Sequence, residues 1–423
     1  MRILFLSHYF PPEVNAPASR TFEHCREWVR AGHEVTVVTC APNHPRGVLY
    51  PGYANRLWQE ERRDGIRIIR LWTFIAANEG FALRTLNYVS FMIACIVAAP
   101  RLPKADVLLS TSPQFFNGLA GYFVSRLRRV PWALEIRDLW PESIVAVGGL
   151  RNRRAIALLE RIESFAYRKA DRIVPVTDAF KRHMVARGVD AQKIAVIKNG
   201  ADMRLFDSGT APGNLRRELA LGERFVAGYF GTHGMAHRLD VVLQAAALLR
   251  ARSDIVFLLV GDGAERARLV ALRDSMGLEN VLMLEQQPKQ SMPKLWATID
   301  ASLVVLQRSP IFKTVIPSKI FESLAMERPV ILGVDGESRE LLQDAEAGVY
   351  VEPENAEALA AAVAGLAADR AGSAAMGKRG RRFVEEHFDR AVLARRYLEQ
   401  LIPLREARAT RAAERVQREA ASR

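Results

Sequence analysis

Short apolar runs of strand length alternate along the chain with longer stretches that carry one apolar face. The stretch 19–31, for example, repeats apolar residues at helical spacing and closes at Gly32, which predicts a helix. Strands that alternate with helices in this way form a parallel sheet with helices on both faces. In the first half of the chain, strands are predicted at residues 3–7, 34–39, 66–71, 107–110, 132–136, 173–176 and 194–197.

The same pattern restarts in the second half, after a turn at Asn199-Gly200. Because 423 residues exceed the usual domain size of about 100–200, the sequence predicts two doubly wound α/β domains, at residues 1–205 and 206–385. A helix at about 386–404 is expected to pack back on the first domain, and residues 405–423 are expected to form a basic tail without chemistry. Strands in the second half are predicted at residues 224–231, 255–260, 281–284, 301–305, 330–333 and 348–351.

Almost all of the net charge of +13 lies in the first half. Residues 1–200 hold 29 lysine and arginine residues against 17 aspartate and glutamate residues, whereas residues 201–423 hold 31 against 30. The first half therefore either meets an anionic partner or presents a solvated basic surface. A nucleic-acid binder would carry a reader motif or interleaved aromatic and basic residues, and the sequence shows neither, so no nucleic-acid partner is expected.

The longest apolar stretch, residues 88–99, is shorter than the roughly 20 residues of a membrane-spanning helix. It predicts either a buried core helix or a helix at a membrane interface. Basic clusters at 126–129 and 151–154 would suit an anionic inner membrane face. The N-terminal MRILFLSHYFPPE is typical of a buried strand, and the three cysteines lack paired or metal-ligand spacing. A cytoplasmic location is expected, with peripheral membrane contact as an option.

Glycine-rich and polar segments follow the predicted strands of the second half, where open α/β sheets bind ligands. Glycine lets a ligand approach the backbone, and a helix N-terminus favours phosphate. A helix predicted at 317–326 begins with Pro317, and its Glu322 is placed to accept hydrogen bonds from a ribose. The sequence thus predicts a nucleotide site that includes Gly231, Thr232, Asp262, Gly263, Ser318, Lys319 and Glu322.

The stretches PSKIFESLAMERPVI, NGADMRLF and FLSHYFPPE resemble the retaining GT-B glycosyltransferases of family 4, and the resemblance runs over roughly residues 1–400. It implies two Rossmann-like domains facing across a cleft, a nucleotide-sugar donor, and a ribose contact by Glu322. The family has a second glutamate eight residues earlier, on the donor sugar, where this chain has Thr314. The T-V-x-P-S-K-x-x-E pattern is similar to enzymes of bacterial surface polysaccharides, including O-antigen, which use amino- or deoxysugar donors such as fucosamine.

Three further segments are similar to functional loops of that family. GYFGTHGMAHRLDVVLQAAALL resembles its glycine loop, with His237 and Arg238 nearest to the basic pair that binds the donor pyrophosphate. HYFPPEVNAPASR matches a loop near the donor phosphates and has Asn15 where many members have glycine. In EIRDLWPES, Asp138 is the counterpart of a histidine that contacts the reacting sugar, an N-cap, or the partner of Arg137.

The resemblance implies transfer with retention by same-face attack, without a stable covalent intermediate. Ser318, Lys319 and Arg238 would stabilise the leaving phosphate. The donor is expected to be UDP-linked, and the acceptor a glycan or a polyprenyl-pyrophosphate-linked glycan. No cofactor and no metal is expected, because the sequence has no Asp-x-Asp and its histidines lack ligand spacing.

Other classes of protein share parts of this pattern. A nicotinamide oxidoreductase needs G-x-G-x-x-G after the first strand, where this chain has SHYFPPE. A UDP-sugar 2-epimerase or hydrolase of GT-B fold would use the same nucleotide face without a lipid acceptor. A non-enzymatic anion-binding protein would use only the basic half.

Overall fold

The computed structural model describes residues 1–76, 81–146 and 148–421, and the chain forms two compact units. The first unit comprises Met1–Lys198 and Ala391–Arg423, and the second comprises Asn199–Arg390. The sequence predicted the domain boundaries after residues 205 and 385, whereas the units of the structure change after Lys198 and after Arg390. Residues 422–423 of the predicted basic tail lie outside the described residues.

A seven-stranded sheet forms the centre of the first unit. Its strands are β1 (Arg2–Leu6), β2 (Glu34–Cys40), β3 (Trp58–Arg63), β4 (Ile66–Leu71), β5 (Val107–Thr111), β6 (Trp132–Ile136) and β7 (Arg172–Pro175). They lie in the order β3-β4-β2-β1-β5-β6-β7, and all neighbours are parallel except the edge pair β3 and β4. Its helices are α1 (Ala16–Arg30), α2 (Phe81–Ala98), α3 (Phe115–Arg128), α4 (Glu142–Ala146), α5 (Arg153–Lys169) and α6 (Asp178–Ala186).

The structure differs from the sequence prediction at two strands of this unit. The predicted strand at 194–197 is not a strand, and only a single bridge joins Ile173 to Ile194. The edge strand β3 was not predicted, because its sequence WQEERR has no apolar run. An edge strand needs little apolar surface, and charged residues there discourage pairing with another chain.

Helix α2 is apolar on more than one face. The stretch Ala82–Arg101 is, within the described residues, the one helical stretch long and apolar enough to cross a membrane. Tyr88, Phe91 and Cys95 are nevertheless buried against the unit, while other apolar side chains of the same helix are exposed. The buried side of α2 fits the core-helix interpretation, and the membrane-interface interpretation stays a prediction for the exposed side.

The second unit has a six-stranded sheet in which every strand is parallel to its neighbours. The strands are β8 (Phe225–Phe230), β9 (Ile255–Val260), β10 (Val281–Leu284), β11 (Ala301–Val305), β12 (Val330–Gly333) and β13 (Gly348–Tyr350), in the order β10-β9-β8-β11-β12-β13. The helices are α7 (Leu215–Glu218), α8 (Leu239–Leu248), α9 (Arg266–Ser275), α10 (Met292–Thr298), α11 (Lys319–Ala325), α12 (Glu337–Asp344), α13 (Ala356–Ala368) and α14 (Arg370–His387). Apolar cores lie on both faces of the sheet, so the unit is doubly wound.

The last helix, α15 (Arg390–Ala421), returns the chain to the first unit. Its Leu393, Tyr397 and Leu401 are buried in the core of that unit. The indole of Trp28 donates a hydrogen bond to the carbonyl of Ala394, at 2.9 Å. The first unit is therefore built from two separate parts of the chain.

Candidate active site

Two loops lie against each other at the carboxyl edge of the second sheet. The N–H of His233, in the loop after β8, donates to the carbonyl of Asp262, in the loop after β9, at 2.9 Å. The hydroxyl of Tyr229 donates to the carbonyl of Thr232 at 2.7 Å. The predicted residues Gly231, Thr232, Asp262 and Gly263 therefore come together, as expected for strands that end at one edge.

The approach of the two loops requires glycine. A Cβ at Gly261 would lie 1.8 Å from the carbonyl oxygen of Gly231, and one at Gly263 would lie 2.6 Å from that of His233. All three glycines of the two contacts have positive φ angles, 142° at Gly231, 158° at Gly261 and 154° at Gly263. These backbone angles suit residues without a side chain, so the loops leave room for a close ligand.

Lys319 reaches this loop pair from the start of α11. The helix begins at Lys319 rather than at Pro317 as predicted, and Ser318 precedes it without a side-chain capping bond. Lys319 Nζ lies 3.5 Å from the centre of the Tyr229 ring, and a Cβ at Gly231 would lie 2.9 Å from it. Burial lowers the pKa of Lys319 to about 7, and the charge of Glu322 opposes this shift.

Glu322 forms an ion pair with Lys289, a residue that the sequence did not single out. Both side chains are one-fifth exposed, at 20% each. Lys289 Nζ also lies 4.7 Å from the ring centre of Phe206. The carboxylate is therefore held in place near Lys319 and remains open to solvent on one side.

The remaining donor-site candidates have partners of their own. Arg238 has a left-handed φ of 44° and forms ion pairs with Asp240 at 3.0 Å and Glu354 at 3.1 Å. The hydrogen bond with Asp240 raises the pKa of Arg238 further. Thr314 Oγ1 donates to the carbonyl of Ile311 at 2.6 Å. Two carboxylates thus neutralise Arg238, whereas no carboxylate lies at hydrogen-bond distance from Lys319 Nζ among the described residues.

In the first unit, Asn15 lies at the start of a helix, and Asp138 follows the end of a strand. Asn15 is the N-cap of α1, and its Oδ1 accepts a hydrogen bond from the N–H of Ala18 at 2.8 Å. Asp138 follows β6. Burial raises its pKa to about 6, while hydrogen bonding by Ser143 and by the N–H of Leu139 lowers the pKa and so opposes this rise. A carboxyl group with this pKa changes its charge near physiological pH.

The loops after β1, β2 and β4 and the start of α2 border a small, partly open pocket, which the sequence did not predict. Its polar lining includes His8, His44, Arg84, Asn87 and Tyr88. Burial lowers the pKa of His8 to about 3 and that of His44 to about 4, so both imidazoles are neutral at pH 7. The pocket therefore offers neutral hydrogen-bonding groups and one cation.

Two family models match the chain. The model described as "Glycosyl transferase 4-like domain" matches residues 15–200, and "Glycosyl transferases group 1" matches residues 214–383. Together they account for most of both units. The chain belongs to the GT-B glycosyltransferases of family 4.

A curated relative of this family 4 glycosyltransferase has a matching length. WcaI of Escherichia coli (strain K12), named as a colanic acid biosynthesis glycosyl transferase, is 26% identical over 377 residues. The match covers 86% of this chain and 91% of the relative. The likeness therefore extends over both units rather than over one domain.

Solved structures share the fold of both units of this family 4 glycosyltransferase. Sucrose-phosphate synthase from Thermosynechococcus elongatus has a TM-score of 0.75 at 18% identity, covering 96% of this chain and 99% of that one. Anabaena HepE, solved in complex with UDP-glucose, has a TM-score of 0.71 at 19% identity, covering 95% and 100%. The prediction of a GT-B fold with two Rossmann-like domains is confirmed.

Proposed function

We propose that this glycosyltransferase moves a sugar from a nucleoside-diphosphate sugar to a glycan or polyprenyl-pyrophosphate-linked acceptor in the synthesis of a bacterial surface polysaccharide, such as an O-antigen. The observation that carries the proposal is the group formed by the two glycine loops, Lys319 and Glu322. The glycines admit the phosphates, Lys319 supplies positive charge, and Glu322 accepts hydrogen bonds from the ribose.

We assign UDP as the carrier and retention of configuration as the stereochemical outcome. Support for UDP comes from the fold shared with HepE, which has been solved with UDP-glucose. Thr314 presents a hydroxyl where the resemblance placed a carboxylate, which favours an amino- or deoxysugar of the fucosamine type over an ordinary hexose. Same-face attack needs no protein nucleophile, so no covalent intermediate is proposed.

Catalysis in this proposal is chiefly stabilisation of charge on the leaving diphosphate. Lys319 Nζ lies against Gly231 of the glycine loop, and Ser318 adds a hydroxyl beside it. A buried positive charge stabilises a developing negative charge more strongly than a solvated one. We assign Asp138 to contact the reacting sugar, with Asn15 near the donor phosphates and Arg238 as a secondary phosphate contact. No metal or cofactor is part of this proposal.

Thermal stabilisation by nucleotides tests this function directly. At a hundred times its dissociation constant, UDP should stabilise the protein by about 2.7 kcal/mol, which differential scanning fluorimetry detects. GDP and ADP serve as comparison ligands. We expect Glu322→Gln to lose the stabilisation, because an amide is a weaker acceptor for the ribose hydroxyls.

Glu340→Gln is the matched control, since Glu340 also lies in the first turn of a helix of the second unit. It should respond to UDP as the wild type does. Stabilisation by GDP in place of UDP would change the assigned base and leave the transferase function intact. If no nucleotide stabilises the wild type, the proposed donor site is wrong.

We further propose that the enzyme is cytoplasmic and docks peripherally on an anionic membrane through α2 and α3. Exposed apolar side chains on these helices are Leu83, Leu86, Ile93, Val97, Phe123 and Leu127. Residues 81–129 contain six basic residues and one acidic residue, Asp106, which is ion-paired with Arg2 at 2.6 Å. An apolar surface with cations nearby matches the interface of an anionic bilayer.

A further inference from the structure

Three basic side chains at the donor site present nitrogen atoms that have no hydrogen-bond partner among the described residues. These atoms are Lys319 Nζ, both ring nitrogens of His233, and Nδ1 of His237. The side chains surround Tyr229, with ring centres 5.9 Å away for His233 and 6.0 Å for His237. His233 is fully buried, whereas the neighbouring Gly231 and Thr232 are exposed. An anion that enters at Gly231 therefore meets two buried groups that can donate to it, the amine of Lys319 and the ring of His233.

The charged groups around this cluster come from several elements. Asp262, after β9, raises the pKa of His233, while Arg266 of α9 lowers it. Glu322 raises the pKa of Lys319, and its own partner is Lys289. Neither carboxylate is within hydrogen-bond distance of Lys319 Nζ.

Burial is the largest influence on all three basic groups. It lowers the pKa of Lys319 to about 7, that of His233 to about 4 and that of His237 to about 3. The positive charge of Lys319 lowers the pKa of both histidines further. Without an anion, the cluster therefore carries at most a fraction of the charge that its residue types suggest.

We propose that binding of the donor diphosphate is coupled to the uptake of a proton by this cluster, taken from solvent onto Lys319 Nζ. The inference rests on the proposed function, because it takes the nucleoside diphosphate as the anion. The proton converts the amine of Lys319 to an ammonium group, and it is released to solvent when the nucleoside diphosphate leaves. No covalent bond forms or breaks in this step.

Proton uptake favours the reaction as well as binding. A nucleoside diphosphate that leaves the sugar gains negative charge, and the ammonium group of Lys319 interacts more strongly with that charge than with the intact sugar nucleotide. Such differential binding lowers the barrier to transfer. As a neutral ring, His233 donates one hydrogen bond to the same anion and needs no proton of its own, whereas the ring of His237 already donates to the carbonyl of Val305.

The direction of the pH dependence follows from the depressed pKa of free Lys319. At pH 8 Lys319 is mainly neutral in the free enzyme, so binding takes up close to one proton. At pH 6 it is already charged, so this residue takes up almost none. The affinity for UDP should therefore fall as the pH rises above 7, by up to about tenfold per pH unit until the pKa of the bound state is reached.

Isothermal titration calorimetry with UDP at pH 8, in two buffers of different ionisation enthalpy, measures the protons taken up. We expect close to one for the wild type. Lys319→Arg keeps a permanent charge, because guanidinium does not deprotonate in proteins. This variant should still bind UDP, with almost no proton uptake and a nearly constant affinity between pH 7 and 9. Lys294→Arg, at an exposed lysine of the same unit, should behave as the wild type.

Two outcomes would overturn the inference in different ways. If the wild type binds UDP without proton uptake, or if Lys319→Arg retains the wild-type uptake, the coupling to Lys319 is wrong while the donor site stands. If neither UDP nor GDP binds the wild type, the proposed function fails together with the inference.

Discussion

Gly261 shows how a single residue determines the shape of the proposed donor site. Its backbone lies so close to the loop after β8 that a methyl group would overlap the carbonyl of Gly231. Gly277, in the same unit, also has a positive φ, 62°, but a Cβ there would have no neighbour within 4 Å. Comparing Gly261 with Gly277 therefore separates the effect of a positive φ from the effect of a steric overlap with a neighbouring loop.

We expect Gly277→Ala to lower the free energy of unfolding by about 1–2 kcal/mol, the usual effect of a side chain in the left-handed region. Gly261→Ala should lower it more and should also weaken UDP binding, because the two loops must move apart. Chemical unfolding and UDP titration of both variants measure these effects. Equal losses of stability with unchanged UDP affinity would show that the loop contact is not needed for the site.

The residues of the proposed donor site differ in how much of their placement the sequence indicates. That Lys319 and Glu322 share one helix after a strand could be predicted because this order is local, and their donor contacts stay predictions. Lys289 could not be predicted, since its contacts with Glu322 and Phe206 join residues far apart in the chain. The ion pairs of Arg238 are equally non-local in part. Its role in phosphate binding stays a prediction.

At the scale of elements, α2 shows the limit of hydrophobic periodicity. Its sequence is apolar nearly all round, so the pattern alone left open whether it is a core helix or an interfacial one. The structure buries Phe91 and Cys95 and exposes Ile93 and Val97. Only the packing partners, and not the sequence of the helix, determine which side is covered.

The exposed face of α2 leads to a prediction about membrane binding. Replacing both Ile93 and Val97 by glutamate should reduce binding to vesicles containing anionic lipid by tenfold or more, because it removes apolar area and adds repulsion. Leu248→Glu is the control, since Leu248 is 54% exposed on a helix of the second unit. Co-sedimentation with anionic and with neutral vesicles gives the two affinities.

Unchanged binding of the double variant would show that another surface meets the membrane. Equal binding of the wild type to anionic and neutral vesicles would contradict the part assigned to the basic residues. Added salt should weaken the binding of the wild type, because cations near an anionic surface contribute about 1 kcal/mol each and are screened.

At the scale of the whole molecule, the alternation of strands and helices was sufficient to predict two doubly wound halves. The turn at Asn199-Gly200 marks the passage between units, which falls at Lys198 and Asn199. The packing partner of α15 does not follow from this alternation. Amphipathic spacing shows that a helix has an apolar face, but not which core that face packs against.

The contribution of α15 to the first unit can be tested by truncation. A chain that ends after residue 390 lacks Leu393, Tyr397 and Leu401, so we expect the first unit to lose its cooperative unfolding transition. A chain that ends after residue 408 keeps these residues and should unfold as the full chain does. The shorter chain should still bind UDP, since Asn199–Arg390 is intact. A normal transition of the first unit in the shorter chain would contradict this role of α15.

The return of α15 to the first unit sets an order of events during synthesis. Domains usually fold from the N-terminus as the ribosome extends the chain. Here the second unit is continuous and has all its residues once Arg390 has emerged, whereas the first unit waits for Leu401. The half of the enzyme that is translated first is therefore completed last, and the nascent chain holds an unfinished, strongly basic half until Leu401 has emerged.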